Sequence, residues 1–166
     1  MQIVKFRFFN YEKALAAGDK RTVARELIRL RSWPRVHMEL ELPDRQLSFS
    51  ATNEDAVKGC RLKRILYSNN WWDTIEKRVA DYALDLIWEK IHEINGKKYD
   101  MVGLMSHATK WNIIMPTRDR YWCNKAGLYV TRGILFPYSI GIDITPEATY
   151  QLLKKLFAYT PERNLS

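Results

Sequence analysis

Two residues in this chain have the type and setting for nucleophilic chemistry, Cys123 and His37. Cys123 stands in Asp119-Arg120-Tyr121-Trp122-Cys123-Asn124-Lys125, in the first turn of a helix predicted from about Trp122 to Val130. The amides and positive dipole end of a helix start stabilise a thiolate. Arg120 and Lys125 push the same way, and the backbone amides of Cys123 and Asn124 are suited to an oxyanion hole. On composition alone, a free cysteine is more often a small buried hydrophobe. His37 shifts that balance. Val36, Met38, Leu40 and Leu42 alternate with His37, Glu39 and Glu41, and side chains two apart on a strand share a face. A histidine held on a strand is the base that a cysteine at a helix start needs, and Glu39 shares its face. Taken alone, His37 reads equally well as an ordinary exposed strand residue. His92 falls on the polar side of a helix and His107 in a polar loop.

The elements that must position this pair follow from periodicity. Gln2 to Phe9 reads as a first strand. Asp19 caps a helix running to about Arg31, with Val23, Leu27 and Leu30 on one side and Lys20, Arg21, Arg25, Arg29 and Arg31 on the other. Ser32-Trp33-Pro34 ends it, because the residue before proline disfavours helix. After the Val36–Leu42 strand and the Pro43-Asp44 turn, Gln46 to Ala51 and Arg61 to Tyr67 read as further strands. Asn70 to Ile94 is predicted as one long amphipathic helix, capped by Asn70 or Asp73 and stopped at Asn95-Gly96. Asp100 starts a short helix through Leu104, and a polar loop with Pro116 follows. Ile134 to Ile144 reads as strand and turn, and Thr145-Pro146-Glu147 opens a helix to about Phe157. Strands cluster early and helices are mixed in, so the fold class is α+β. With no repeat, linker or low-complexity tract, residues 1–166 read as one domain.

Composition narrows the function classes. The chain has 27 Lys+Arg against 19 Asp+Glu, a net charge of +8, and 13% aromatic residues. A disordered segment would lack those aromatics. Two cysteines, Cys60 and Cys123, exclude a disulfide framework and a four-cysteine zinc site. There is no glycine-rich phosphate loop, no Gly-x-Ser-x-Gly elbow and no histidine pair at metal-ligand spacing, so no metal or cofactor is expected. The first ten residues carry Lys5 and Arg7 and lack the pattern of a secretory signal. The longest weakly polar run, Gly133 to Ile142, contains Pro137 and falls far short of the about 20 residues that span a bilayer. A reducing, cytoplasmic setting is the expectation.

The order of these features resembles the circularly permuted NlpC-type papain-like hydrolases, a group that includes relatives of lecithin retinol acyltransferase and several viral and phage proteins. Val36-His37-Met38-Glu39-Leu40 is similar to the family's histidine strand. Leu47-Ser48-Phe49-Ser50-Ala51 is similar to the next strand, where the third polar residue often lies. Tyr99-Asp100-Met101-Val102-Gly103-Leu104 is similar to the segment before the nucleophile, and Tyr121-Trp122-Cys123-Asn124-Lys125 to the nucleophile segment. The resemblance spans about residues 33–130. It implies a papain-like fold, a small antiparallel sheet packed on helices. It implies a thiolate nucleophile at Cys123, a general base at His37, and Glu39 or Ser50 orienting the imidazole. It also implies a phage or viral protein acting in a host cytoplasm. The family's usual Cys-Ser-Glu reads Cys123-Asn124-Lys125 here, and its early Gly-Asp element is absent.

Two readings of function follow. The first is a cysteine peptidase, amidase or acyltransferase acting on a peptide, amide, lipid ester or thioester. The second is an inactive scaffold that binds nucleic acid, an acidic protein or a membrane surface through its basic residues. The candidates for anion binding are Arg25 and Arg29 on the basic helix, and Arg118 and Arg120 beside the nucleophile. Lys58, Arg61, Lys63 and Arg64 form a second basic cluster. No zinc finger, basic zipper or aromatic ribonucleoprotein pattern is present.

Overall fold

A computed structural model describes residues 1–19, 23–30, 32–53, 58–65, 67, 70–104, 119–141 and 144–158. The expectations placed on Lys20, Arg21, Arg31, His107, Pro116 and Arg118 lie outside those residues. The elements run β1 (Gln2–Asn10), α1 (Tyr11–Ala16), α2 (Val23–Arg29), β2 (Arg35–Leu42), β3 (Leu47–Thr52), β4 (Gly59–Arg64), β5 (Trp72–Val79), α3 (Asp81–Ile94), β6 (Lys98–Tyr99), β7 (Arg120–Tyr121), α4 (Cys123–Thr131) and α5 (Pro146–Ala158). The fold is α+β. Five antiparallel strands form one sheet in the order β4-β3-β2-β1-β5, and β6 and β7 pair in parallel.

The register explains the two faces of the sheet. Phe6 pairs with Leu40 and Ile75, Leu40 with Phe49, and Phe49 with Leu62. That row, with Val4, Phe8, Met38, Leu42 and Ala51, forms an apolar face on which Leu84, Ile87, Ile91, Leu128 and Leu153 of the helices pack. Each fully buried side chain of this size contributes roughly 1.5–3 kcal/mol. On the opposite face Arg7 pairs with Glu39, Glu41 with Ser48, and Ser50 with Arg61. The alternation read from Val36 to Leu42 is thus borne out, but Glu39 and Glu41 are buried rather than solvated.

Four elements differ from the sequence expectation. The predicted helix over Asn70–Ile94 divides into β5 and α3. Trp72, Ile75 and Val79 fit a helical period, yet residues 72–79 align in full antiparallel register with β1, from Phe9↔Trp72 to Gln2↔Val79. Pairing with a central strand overrides the local period. Asp73 caps no helix and instead pairs with Lys13 at 2.7 Å and Arg35 at 2.8 Å. The third strand is Gly59–Arg64, not Arg61–Tyr67. Ile134 to Ile144 forms no strand among its described residues. Gly133 at φ +80° lets its N–H reach Phe136 O at 2.7 Å, which closes a turn. Finally, α1 has no counterpart in the sequence reading. Asn10 caps it by accepting from Lys13 N at 3.1 Å, and Tyr11 and Ala14 are its buried side. The basic helix is described as α2, and Leu30, expected on its apolar side, lies past its end and is 63% exposed.

Candidate active site

Cys123 is the first residue of α4. Trp122, in extended conformation, is the N-cap, and Ala126 N donates to Trp122 O at 2.9 Å. The expected helix start is borne out. The thiol is fully buried, within a cluster that includes Phe9, Tyr11, Ile28, Val36 and Leu104. His37, on the first half of β2, is hydrogen-bonded to it. The helix thus meets the strand where sequence reasoning placed them.

The Nε2 edge of His37 faces two acceptors. Glu39 Oε1 and Ser50 Oγ each lie 3.4 Å away. Ser50 donates its own proton to Met38 O at 2.7 Å, which leaves an oxygen lone pair toward the ring. Burial works against a charged His37. The charge and hydrogen bond of Cys123, followed by those of Glu39, outweigh it and raise the histidine pKa to about 9. The two candidates for the orienting residue therefore both reach the same nitrogen, and Glu39 alone brings charge.

Glu39 sits at the centre of a network that sequence reasoning did not see. It is 2% exposed. Its Oε1 is 2.7 Å from Lys63 Nζ and 4.0 Å from Arg61. Its Oε2 accepts from Ser48 Oγ at 2.8 Å and from Tyr67 OH at 2.6 Å. Burial alone would favour the neutral acid. His37, then Lys63, reverse this and hold the carboxyl well below the usual carboxylate range. Tyr67 is pushed far up by burial and by the Glu39 charge, so it stays a neutral donor. Trp72 packs edge-on against both Tyr67 and His37, at 5.0 and 6.2 Å between centroids. The signal for Ser48 and Lys63 was present in the sequence. Both occupy the polar positions of strands that alternate, which puts them on the Glu39 face once the order of strands is known.

The other site candidates have separate fates. The Asn124 side chain is structural: its Nδ2 donates to Ile144 O at 2.6 Å and Thr149 Oγ1 at 2.7 Å, tying α4 to α5. Lys125 is buried beside Asp100, Nζ to Oδ2 3.9 Å, so a carboxylate offsets the charge expected to favour the thiolate. Arg25 and Arg29 do not form one solvated basic face. Arg29 pairs with Glu26 at 2.9 Å, whereas Arg25 pairs with Asp19 at 2.5 Å, lies over the Phe9 ring and lines a cleft with His37. Arg120 is exposed on β7, away from that lining. His92 stacks edge-on against Trp88 at the surface. Among the described residues no three His, Cys, Asp or Glu side chains gather as metal ligands, and no helix is long and apolar enough to cross a membrane.

Comparison with protein-family models, with curated proteins and with solved structures gives no match for this chain.

Proposed function

We propose that this chain is a cysteine hydrolase or acyltransferase of the permuted NlpC-type papain-like kind, acting on an amide, ester or thioester. The observation that carries the reading is the placing of Cys123, at the start of α4, beside His37, whose Nε2 is turned to the buried Glu39. In this reading the Cys123 proton passes to His37 and the sulfur adds to the carbonyl carbon. The resulting oxyanion is stabilised by the backbone amides at the start of α4. When the tetrahedral species collapses, His37 gives its proton to the departing amine, alcohol or thiol. Water or another acceptor, deprotonated by His37, then releases the acyl group from sulfur. Glu39 keeps the imidazole in place and balances its positive charge, with Ser50 as a weaker second acceptor.

Site-resolved alkylation with iodoacetamide tests this reading. Cys123 is expected to react much faster than Cys60, and His37→Ala to slow Cys123 alone. Slow labelling of Cys123 that His37→Ala leaves unchanged overturns it.

One observation favours the second reading, an inactive binding scaffold: Cys123 has no exposed surface. Salt-dependent retention on nucleic acid, lost on replacing Arg25 and Arg29, together with unreactive Cys123, is the outcome that reading requires.

A further inference from the structure

The cleft beside His37 narrows the choice of substrate. It encloses about 150 Å³, a space of the order that holds a single benzene-sized group. Its apolar lining comes from Phe9, Ile28, Val36 and Trp72. The same lining carries Arg25 from α2, which lies over the Phe9 ring, and Arg61 and Lys63 from β4, with Thr52 and Asn53 as neutral polar groups. Among the described residues lining it, the one carboxylate is Glu39.

These groups differ in how they face the cavity. Glu39 is 2% exposed, whereas the side chains of Lys63 and Arg25 are 34% and 23% exposed. Glu39 is turned into its network with Ser48, Tyr67, His37 and Lys63, and Asp19 stands off the lining as the partner of Arg25. A molecule entering the cleft therefore meets cations from two separate elements, next to the histidine. Low-dielectric walls concentrate such a field.

We infer that the substrate carries a compact negatively charged group, a carboxylate, close to its scissile carbonyl. Arg25 and Arg61 hold that group, with Lys63, shared with Glu39, beside them, and its short apolar stem lies against Trp72 and Val36. The inference rests on the proposed thiol chemistry and adds the substrate class to it. It also gives the basic residues of α2 and β4 a local role in place of a macromolecular one.

Iodoacetate and iodoacetamide are near-isosteric and differ in charge, so their rates at Cys123 separate the two claims. The full-length chain is labelled with each at one pH, and the rate ratio is compared with that of a small neutral free thiol. The ratio of iodoacetate to iodoacetamide at Cys123 is expected to exceed the free-thiol ratio by about 10-fold at low salt, the scale of electrostatic focusing in a charged cleft. Added salt should shrink that preference, and Arg25→Gln should lower it. If Arg25→Gln does not fold, the salt series on the unaltered chain decides. A ratio equal to that of the free thiol and indifferent to salt, with fast His37-dependent iodoacetamide labelling, overturns the anionic substrate and leaves the thiol enzyme standing. Slow labelling by iodoacetamide, unchanged in His37→Ala, removes both.

Discussion

Cys60 lies on β4 and Cys123 opens α4, and neither shows more than 1% of its surface. Their neighbours differ. Cys60 sits in a strand whose backbone is fully engaged, its N–H donating to Lys97 O at 2.8 Å and its carbonyl accepting from Gly96 N at 2.8 Å. Its side chain joins the apolar core, and burial pushes the thiol up to about 12. Cys123 is as deeply buried, but its backbone begins a helix and its sulfur meets an imidazole backed by a carboxylate. Burial therefore does not separate the two thiols. The element that presents the sulfur and the base beside it do.

The comparison can be broken most severely by removing the base. His37→Ala is expected to slow alkylation of Cys123 by about 100-fold, the lower end of a positioned acid–base contribution, and so bring it toward Cys60. Site-resolved mass spectrometry checks it, with the Cys60 rate as the internal standard. Next comes Glu39→Gln. It leaves His37 and Lys63 without their buried counter-charge, and such a loss costs about 3 kcal/mol. Urea unfolding measures it, and a Glu39→Gln, Lys63→Met double variant is expected to recover part of the loss.

A third effect is read against pH. The pKa of His37 is raised to about 9 in the fold from an ordinary value of 6.5. A raised value means that the fold binds the proton more tightly than the unfolded chain does. The stabilisation is complete below about 6.5 and is lost as pH climbs through about 9. The melting temperature should fall between pH 7 and 9.5 more steeply than in His37→Gln. Equal slopes in the two proteins contradict the ion pair. The smallest effect belongs to Ser50→Ala. It removes the 2.7 Å bond to Met38 O, worth about 1 kcal/mol, and a long contact to His37. Cys123 reactivity should barely change, and a drop as large as that of Glu39→Gln would make Ser50 the principal orienting residue.

Much of this was legible in the sequence wherever a single element carries the signal. The Val36–Leu42 alternation placed His37 and Glu39 on one face, and the Asn95-Gly96 and Thr145-Pro146 signals marked helix ends that the structure has. Thr145 Oγ1 accepts from Ala148 N at 3.1 Å, as a cap should. Signals that depend on a distant partner were not legible. Residues 72–79 suit either period, and only the open edge of β1 makes them a strand. Arg25 reads as one of a row of surface arginines, because the sequence does not show that Phe9 and the cleft lie under it. The burial of Glu39 was not legible for the same reason: its covering groups, Lys63 and Tyr67, come from later in the chain.

The short ladder of β6 and β7 joins Lys98 to Arg120 and Tyr99 to Tyr121, Asp100 N donates to Tyr121 O at 3.1 Å, and the buried Asp100–Lys125 pair lies just behind it. These contacts form one clasp on the residues just before α4. What the clasp fixes is the start of α4. Whatever loosens that ladder therefore reaches the thiol through the first turn of α4.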